Sequence, residues 1–169
     1  MAIAFSADEV FEMAMDVERN GEAYYRKAAS LSKDAAIRAV LTDLMEQEKL
    51  HYATFKKLRE NLPPKDTLPT YADPDSEEYL YLDTLVKSRM FTNVHEAEAL
   101  AAKVANEIEA LRAALSFEKD TILFFQSMQR MTDKRLGSSE IDHIIEEEHR
   151  HVVRISGAIK SAMAKAPRR

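Results

Sequence analysis

Glutamate and histidine residues recur at one fixed spacing in two parts of the chain. Each part has a glutamate, a second glutamate thirty residues later, and a histidine three residues after that. The two sets are Glu18, Glu48 and His51, followed by Glu118, Glu148 and His151. Each residue of the first set therefore has a counterpart 100 residues later. Carboxylate oxygens together with imidazole nitrogens are ligands that suit iron and manganese.

The spacing of a glutamate three residues before a histidine is weak evidence by itself, since it occurs four times in this sequence. Two of the four matches stand apart, Glu48 with His51 and Glu148 with His151, because they alone belong to the full repeat. They also occupy the apolar stripe of their predicted helices. Glu148, for example, follows Ile145 by three residues and lies on the same helix face.

A buried set of four glutamates needs a counter-charge, because an unneutralised buried carboxylate costs several kcal/mol. Two divalent metal ions carry four positive charges and would balance the four glutamates, while the histidines bind as neutral ligands. The repeat therefore predicts a buried site for two metal ions. We expect the neighbouring acidic and histidine residues to lie on solvated faces instead, namely Glu146, Glu147, His143, His149 and His95.

Helical periodicity predicts four long helices that would carry the six residues. Ser6 and Glu9 have the spacing of a capping box, which opens the first helix. Pro63 ends the second helix, and Gly137 separates the last two. The predicted helices cover approximately residues 6–31, 33–61, 107–133 and 138–164.

The four helices form two predicted hairpins, joined by a crossover over residues 62–106. Within the crossover, Asp75 and Asn93 each precede a glutamate by three residues and are expected to open short helices. One long crossover between two helix pairs is the ferritin-like way to build a four-helix bundle. We therefore predict an all-α fold, a single ferritin-like domain over residues 1–169.

The composition excludes several other classes of protein. The net charge of -5 lacks the basic footprint of a nucleic-acid-binding protein. No apolar run is long enough to span a membrane, and the N-terminal residues lack the pattern of a signal peptide, so we expect a cytoplasmic protein. Cysteine is absent, which excludes thiolate chemistry and cysteine-held iron–sulfur clusters.

The sequence resembles the rubrerythrin-type ferritin-like di-iron proteins. The resemblance is carried by the segments AMDVERNGEAYYRKAA, LMEQEKLH, ALSFEKDTILFF and IIEEEHRH. It implies that the six repeated residues bind two iron ions, or manganese or a mixed pair, with Glu48 and Glu148 as bridging ligands. Tyr25 matches a tyrosine that lies near the metals in the family. The activity implied is reduction of hydrogen peroxide or dioxygen, which protects against oxidative stress.

Two departures from the family pattern affect the predicted function. Rubrerythrins have a rubredoxin module with four cysteines, whereas this chain has none, so a separate donor such as a rubredoxin-like protein would supply electrons. Thr121 stands where the family has an additional glutamate.

The alternatives are a ferroxidase or iron-handling protein, a dimanganese catalase-like enzyme, and a non-catalytic bundle. A homodimer is also expected. Apolar residues of the crossover could cover either the bundle itself or a partner: Tyr79, Tyr81, Leu82, Leu85, Met90 and Phe91.

Overall fold

The structure is a computed structural model that describes residues 6–67, 77, 80, 81, 84, 92–131 and 136–165. Within these ranges the chain is helical and contains no β-strand. The helices are α1 (Ala7–Leu31), α2 (Ala35–Glu60), α3 (Val94–Lys103), α4 (Glu107–Met131) and α5 (Ser138–Lys165). The predicted all-α fold, with four long helices, is confirmed.

Side chains that the sequence offers as caps begin four of the helices. The capping box of α1 is formed, because the Ser6 side chain accepts a hydrogen bond from the backbone of Glu9 and the Glu9 side chain accepts one from the backbone of Ser6. Asp34 caps α2, and Asn93 caps α3. The side chain of Asn106 accepts a hydrogen bond from the backbone of the first turn of α4. Each cap satisfies backbone N–H groups that have no partner within the helix.

The long helices pack as two hairpins that face each other. α1 packs along α2, and α4 packs along α5. The hairpins meet through α1 with α4 and α2 with α5, while α3 lies against α1. An aromatic layer joins three of the helices, with Phe55 lying 6.4 Å from Phe11 and 5.0 Å from Phe125 between ring centroids. Phe55 follows His51 by four residues, so it lies about one turn of α2 beyond the repeated polar residues.

Twenty of the 45 crossover residues lie outside the described residues, including the predicted helix start at Asp75. The same holds for the apolar residues expected at a dimer interface, except Tyr81, which is exposed. The single-domain organisation and the bounds of the crossover therefore stay predictions. In the part of the chain that the structure describes, every helix is too short or too polar to cross a membrane.

Candidate metal centre

The six residues of the repeat come together in the middle of the bundle. Each of the four long helices contributes one glutamate, and α2 and α5 each add a histidine one turn further on. The glutamates have no exposed surface, and the histidines are at most 4% exposed. The spacing of three residues places the glutamate and histidine of one helix on the same face. The predicted juxtaposition is therefore present, while the role of these residues as ligands stays a proposal.

The cluster divides into two overlapping groups of potential ligand atoms, and within each group these atoms lie within 4.8 Å of one another. The first group is Glu18, Glu48, His51 and Glu148, and the second is Glu48, Glu118, Glu148 and His151. Glu48 and Glu148 belong to both groups, whereas the other four residues each belong to one. This is the arrangement that two cations with two shared carboxylates require.

Several buried atoms of the cluster have no hydrogen-bond partner among the described residues. They include both carboxylate oxygens of Glu18 and of Glu48, one oxygen each of Glu118 and Glu148, and Nδ1 of His51. His51 Nδ1 lies only 2.8 Å from Oε1 of Glu148, yet neither atom forms an aligned hydrogen bond. Buried polar groups are almost always paired in folded proteins. A bound cation would accept the lone pairs of these carboxylate oxygens and of the imidazole nitrogen, which point toward one another with no hydrogen between them.

The pKa values of the carboxyl groups show that, without cations, burial and mutual repulsion disfavour ionisation of all four glutamates. Burial raises the pKa of Glu18 and of Glu48 well above the usual range, and the charge of Glu148 raises both further. Burial likewise raises the pKa of Glu118 to about 8. Burial also opposes the ionisation of Glu148, but the close approach of Glu118 and of both histidines outweighs it and lowers the pKa. Only part of the cluster is therefore ionised at neutral pH, and cation binding would release protons.

The neighbouring carboxylates also raise the pKa values of the two histidines. Burial disfavours the charged form of His51, but the adjacent Glu148 outweighs this effect and raises the pKa to about 9. For His151, burial is likewise outweighed by Glu118 and Glu148, and the pKa rises to about 10. Without cations, the imidazoles supply the positive charge that the carboxylates need. Two divalent cations would supply it instead and leave both imidazoles neutral, which is the form that binds metal.

The donor atoms of the two groups suit two ions of iron or manganese. Each group contains one imidazole nitrogen and carboxylates from three residues, with no sulfur. Oxygen-rich sites with imidazole suit iron and manganese, whereas structural zinc sites are four-coordinate and rich in cysteine. The unpartnered atoms, the shared glutamates and the charge balance all agree with a dinuclear site.

Tyr25 lies beside the cluster, as expected. Its hydroxyl donates a hydrogen bond to Oε1 of Glu118 from a position with no exposed surface. Burial raises the pKa of Tyr25, and the charge of Glu118 adds to the effect, so the hydroxyl stays protonated. Thr121, where the family has a glutamate, is also buried, and its hydroxyl has no partner among the described residues. The two halves of the repeat therefore differ beside the six central residues, because Phe125 is the counterpart of Tyr25 and Gly21 is the counterpart of Thr121.

Two neighbours of the cluster could not be identified from the sequence. Glu147 was expected on a solvated face, and this expectation is wrong, because its side chain is only 25% exposed and its Oε2 lies 3.1 Å from Nε2 of His51. The other four residues assigned to solvated faces are exposed. Gly21 is the second neighbour, since a Cβ atom there would lie 3.2 Å from the carboxyl carbon of Glu48. Both contacts depend on how closely two helices approach, which helical periodicity does not give.

Fold and site together define a ferritin-like helical bundle with a candidate dinuclear carboxylate–histidine centre. The chain is similar to a solved structure from Thermotoga maritima that is described as a ferritin-like diiron-carboxylate protein. The TM-score is 0.70 and the identity 19%, over 93% of this chain and 96% of that chain. At this identity the likeness shows the fold alone. No protein-family model and no curated protein matches the chain.

Proposed function

We propose that this chain is a rubrerythrin-type, non-haem di-iron oxidoreductase that reduces hydrogen peroxide or dioxygen. The observation that carries the proposal is the buried pair of overlapping ligand groups, in which seven side-chain oxygen and nitrogen atoms have no hydrogen-bond partner among the described residues. Glu18 and His51 would hold one iron and Glu118 and His151 the other, with Glu48 and Glu148 shared. Two ferrous ions in this site would supply the two electrons that reduce one hydrogen peroxide to two waters.

The protein's own contribution begins with positioning and the exclusion of water. All four carboxylates are fully buried, and the aromatic layer of Phe11, Phe55 and Phe125 has no exposed surface. In such a site, electrostatic interactions are stronger than in water. Bulk solvent is kept away from the centre, which limits side reactions of the reduced metals.

Proton supply is the second contribution of the chain. Reduction of hydrogen peroxide to two waters consumes two protons as well as two electrons. The hydroxyl of Tyr25 holds a proton against Glu118 inside the bundle. His51 leads toward the surface, because it lines an open cleft together with Glu147 and His143. Protons therefore have a polar route between solvent and the cluster through these side chains.

The electrons would come from a separate donor, because the sequence contains no cysteine that could hold a rubredoxin-type iron. A rubredoxin-like protein is the partner that the family resemblance favours. We also propose that the chain forms a homodimer, which sedimentation would test. A shell of many subunits would favour iron storage over peroxide reduction, because a dimer cannot enclose a mineral core.

The test is the oxidation of protein loaded anaerobically with ferrous iron, followed by stopped-flow absorbance after mixing with hydrogen peroxide or dioxygen. We expect two irons per chain and rapid oxidation by one of the oxidants. Glu48→Ala should slow this step by about 100-fold or more, since it removes a shared carboxylate. Glu46→Ala is the matched control, because Glu46 lies on the same helix but is exposed.

Each alternative function gives a different result in the same experiment. Oxygen release from peroxide by manganese-loaded protein, without added reductant, would indicate a catalase-like enzyme. Continued oxidation of excess ferrous iron would indicate a ferroxidase. Failure to bind iron or manganese at all would contradict the proposal and leave a non-catalytic bundle. Equal oxidation rates in Glu48→Ala and wild type would also contradict it.

A further inference from the structure

The repeat differs between its halves at the position just before the shared glutamate. Glu147 in α5 corresponds to Gln47 in α2, so one half has a carboxylate where the other has a neutral amide. Both side chains are half-buried. Glu147 lies at hydrogen-bond distance from Nε2 of His51, whereas Gln47 lines a cleft of about 230 Å³ that His151 also lines. The two imidazoles of the centre therefore have different surroundings.

On one side, His51 is held between the cluster and Glu147. Its Nδ1 lies 2.8 Å from Oε1 of Glu148 and 3.6 Å from Oε2 of Glu18, so this nitrogen faces the carboxylates. Its Nε2 lies 3.1 Å from Oε2 of Glu147. A carboxylate can only accept a hydrogen bond, so the proton of a neutral imidazole belongs on Nε2. The lone pair of Nδ1 is then directed into the cluster.

On the other side, His151 lacks an equivalent anionic partner. Its Nδ1 lies 3.0 Å from Oε2 of Glu148, but Nε2 forms no hydrogen bond with any of the described residues. The cleft at this histidine is lined by Gln47, Glu147, Arg150 and Arg154. Oε2 of Glu147 already lies at hydrogen-bond distance from His51, and the two guanidinium groups and the amide offer Nε2–H of His151 no carboxylate acceptor. The tautomer and the ring orientation of His151 are therefore less strongly fixed than those of His51.

We propose that Glu147 is a positioning residue for His51, and that it makes the metal position served by His51 bind divalent cations more tightly than the position served by His151. The inference rests on the proposed metal centre. A carboxylate that accepts the second N–H of a ligating histidine fixes the ring and raises its basicity as a ligand. Removal of such a partner typically weakens metal binding by about 10–100-fold.

The test is a titration of the metal-free full chain with Co²⁺, followed by calorimetry and by the visible spectrum of the bound ion. We expect wild type to bind two Co²⁺ in two resolved steps. Glu147→Ala should weaken the tighter step by about 10–100-fold and leave the weaker step within a few-fold. Glu147→Gln keeps an oxygen acceptor but loses the charge. The affinity of its tighter Co²⁺ step should therefore lie between those of wild type and Glu147→Ala. Glu146→Ala is the control, because Glu146 is exposed one residue away.

A second measurement separates positioning from a merely structural effect. In zinc-loaded protein with ¹⁵N-labelled histidine, the wild-type spectrum should show a slowly exchanging Nε2–H on His51. This signal should persist in Glu147→Gln and in the Glu146→Ala control. It should be lost or exchange rapidly in Glu147→Ala. The assignment of the signal is checked with His51→Gln, which removes it.

The outcomes distinguish the two proposals. Wild-type affinities in Glu147→Ala, or an equal loss in Glu146→Ala, would overturn the role of Glu147 while the metal centre stands. Two identical Co²⁺ sites in wild type would overturn it as well. If wild type binds neither Co²⁺, iron nor manganese, the metal centre itself fails, and the role of Glu147 fails with it.

Discussion

Gly21 gives a sharp test of the packing around the centre, because the same substitution has a matched control in another helix. A Cβ atom at Gly21 would lie 2.8 Å from Cε1 and 3.1 Å from Cζ of Phe117, and 3.2 Å from Cδ of Glu48. At Gly157 in α5, a Cβ atom would have no such neighbour within 4 Å among the described residues. Gly→Ala therefore adds the same methyl group to a crowded site and to an open one.

The expected magnitudes follow from two opposing effects. Alanine is favoured over glycine in a helix interior by ~0.5–1 kcal/mol, and this gain applies to both positions. At Gly21 the methyl group also overlaps the ring of Phe117, which is confined by the edge-on ring of Tyr25 at 6.5 Å. Inserting a methyl group into a packed interior costs ~1–3 kcal/mol. We expect Gly157→Ala to be more stable than wild type by ~0.5–1 kcal/mol, and Gly21→Ala to be less stable by ~1–2 kcal/mol.

For a chain of this length, each kcal/mol shifts the midpoint of thermal unfolding by ~2–4 °C. Circular dichroism of metal-free protein should therefore show Gly21→Ala melting ~2–8 °C below wild type and Gly157→Ala ~1–4 °C above it. Gly21→Ala should also bind Co²⁺ more weakly, because the methyl group presses on the carboxyl carbon of Glu48. Stabilisation of both variants, or unchanged metal binding in Gly21→Ala, would refute the packing argument.

Three further predictions concern contacts that only the structure reveals. Tyr25→Phe removes the donor to buried Glu118 and should cost ~1–3 kcal/mol in urea unfolding of metal-free protein. Glu107→Ala removes an acceptor for Ser32 and for two backbone N–H groups at the turn between α1 and α2, and should cost ~1–2 kcal/mol in the same assay. The hydrogen bonds from the Arg59 side chain lower the pKa of Asp8, so this pair stabilises the fold above pH ~4 and loses its effect as pH falls through the lowered value. Asp8→Asn should thus cost ~0.5–1 kcal/mol at pH 7 and less at pH 2, as measured by urea unfolding at both pH values.

Much of the fold could be predicted from local signals in the sequence. A helix cap involves residues two or three positions apart, so Ser6 and Asn93 could be identified without knowledge of the fold. Asp34 caps the second helix in the same local way, because its side chain accepts hydrogen bonds from backbone N–H groups two and three residues further on. Helical periodicity gave the faces of the helices, because it depends only on 3.6 residues per turn.

The sequence alone also indicated which six residues share the centre, because the repeat relates Glu18, Glu48 and His51 to counterparts in equivalent helices. Buried charge requires neutralisation in any fold, so a cation site could be predicted before any distance was known. Tertiary structure decided what surrounds these residues. The approach of α2 to α5 joins Glu147 to His51, and the packing of α1 against α4 leaves Gly21 no room for a side chain. Such contacts depend on the separation and axial register of two helices, and these are fixed only when all the side chains between them pack together.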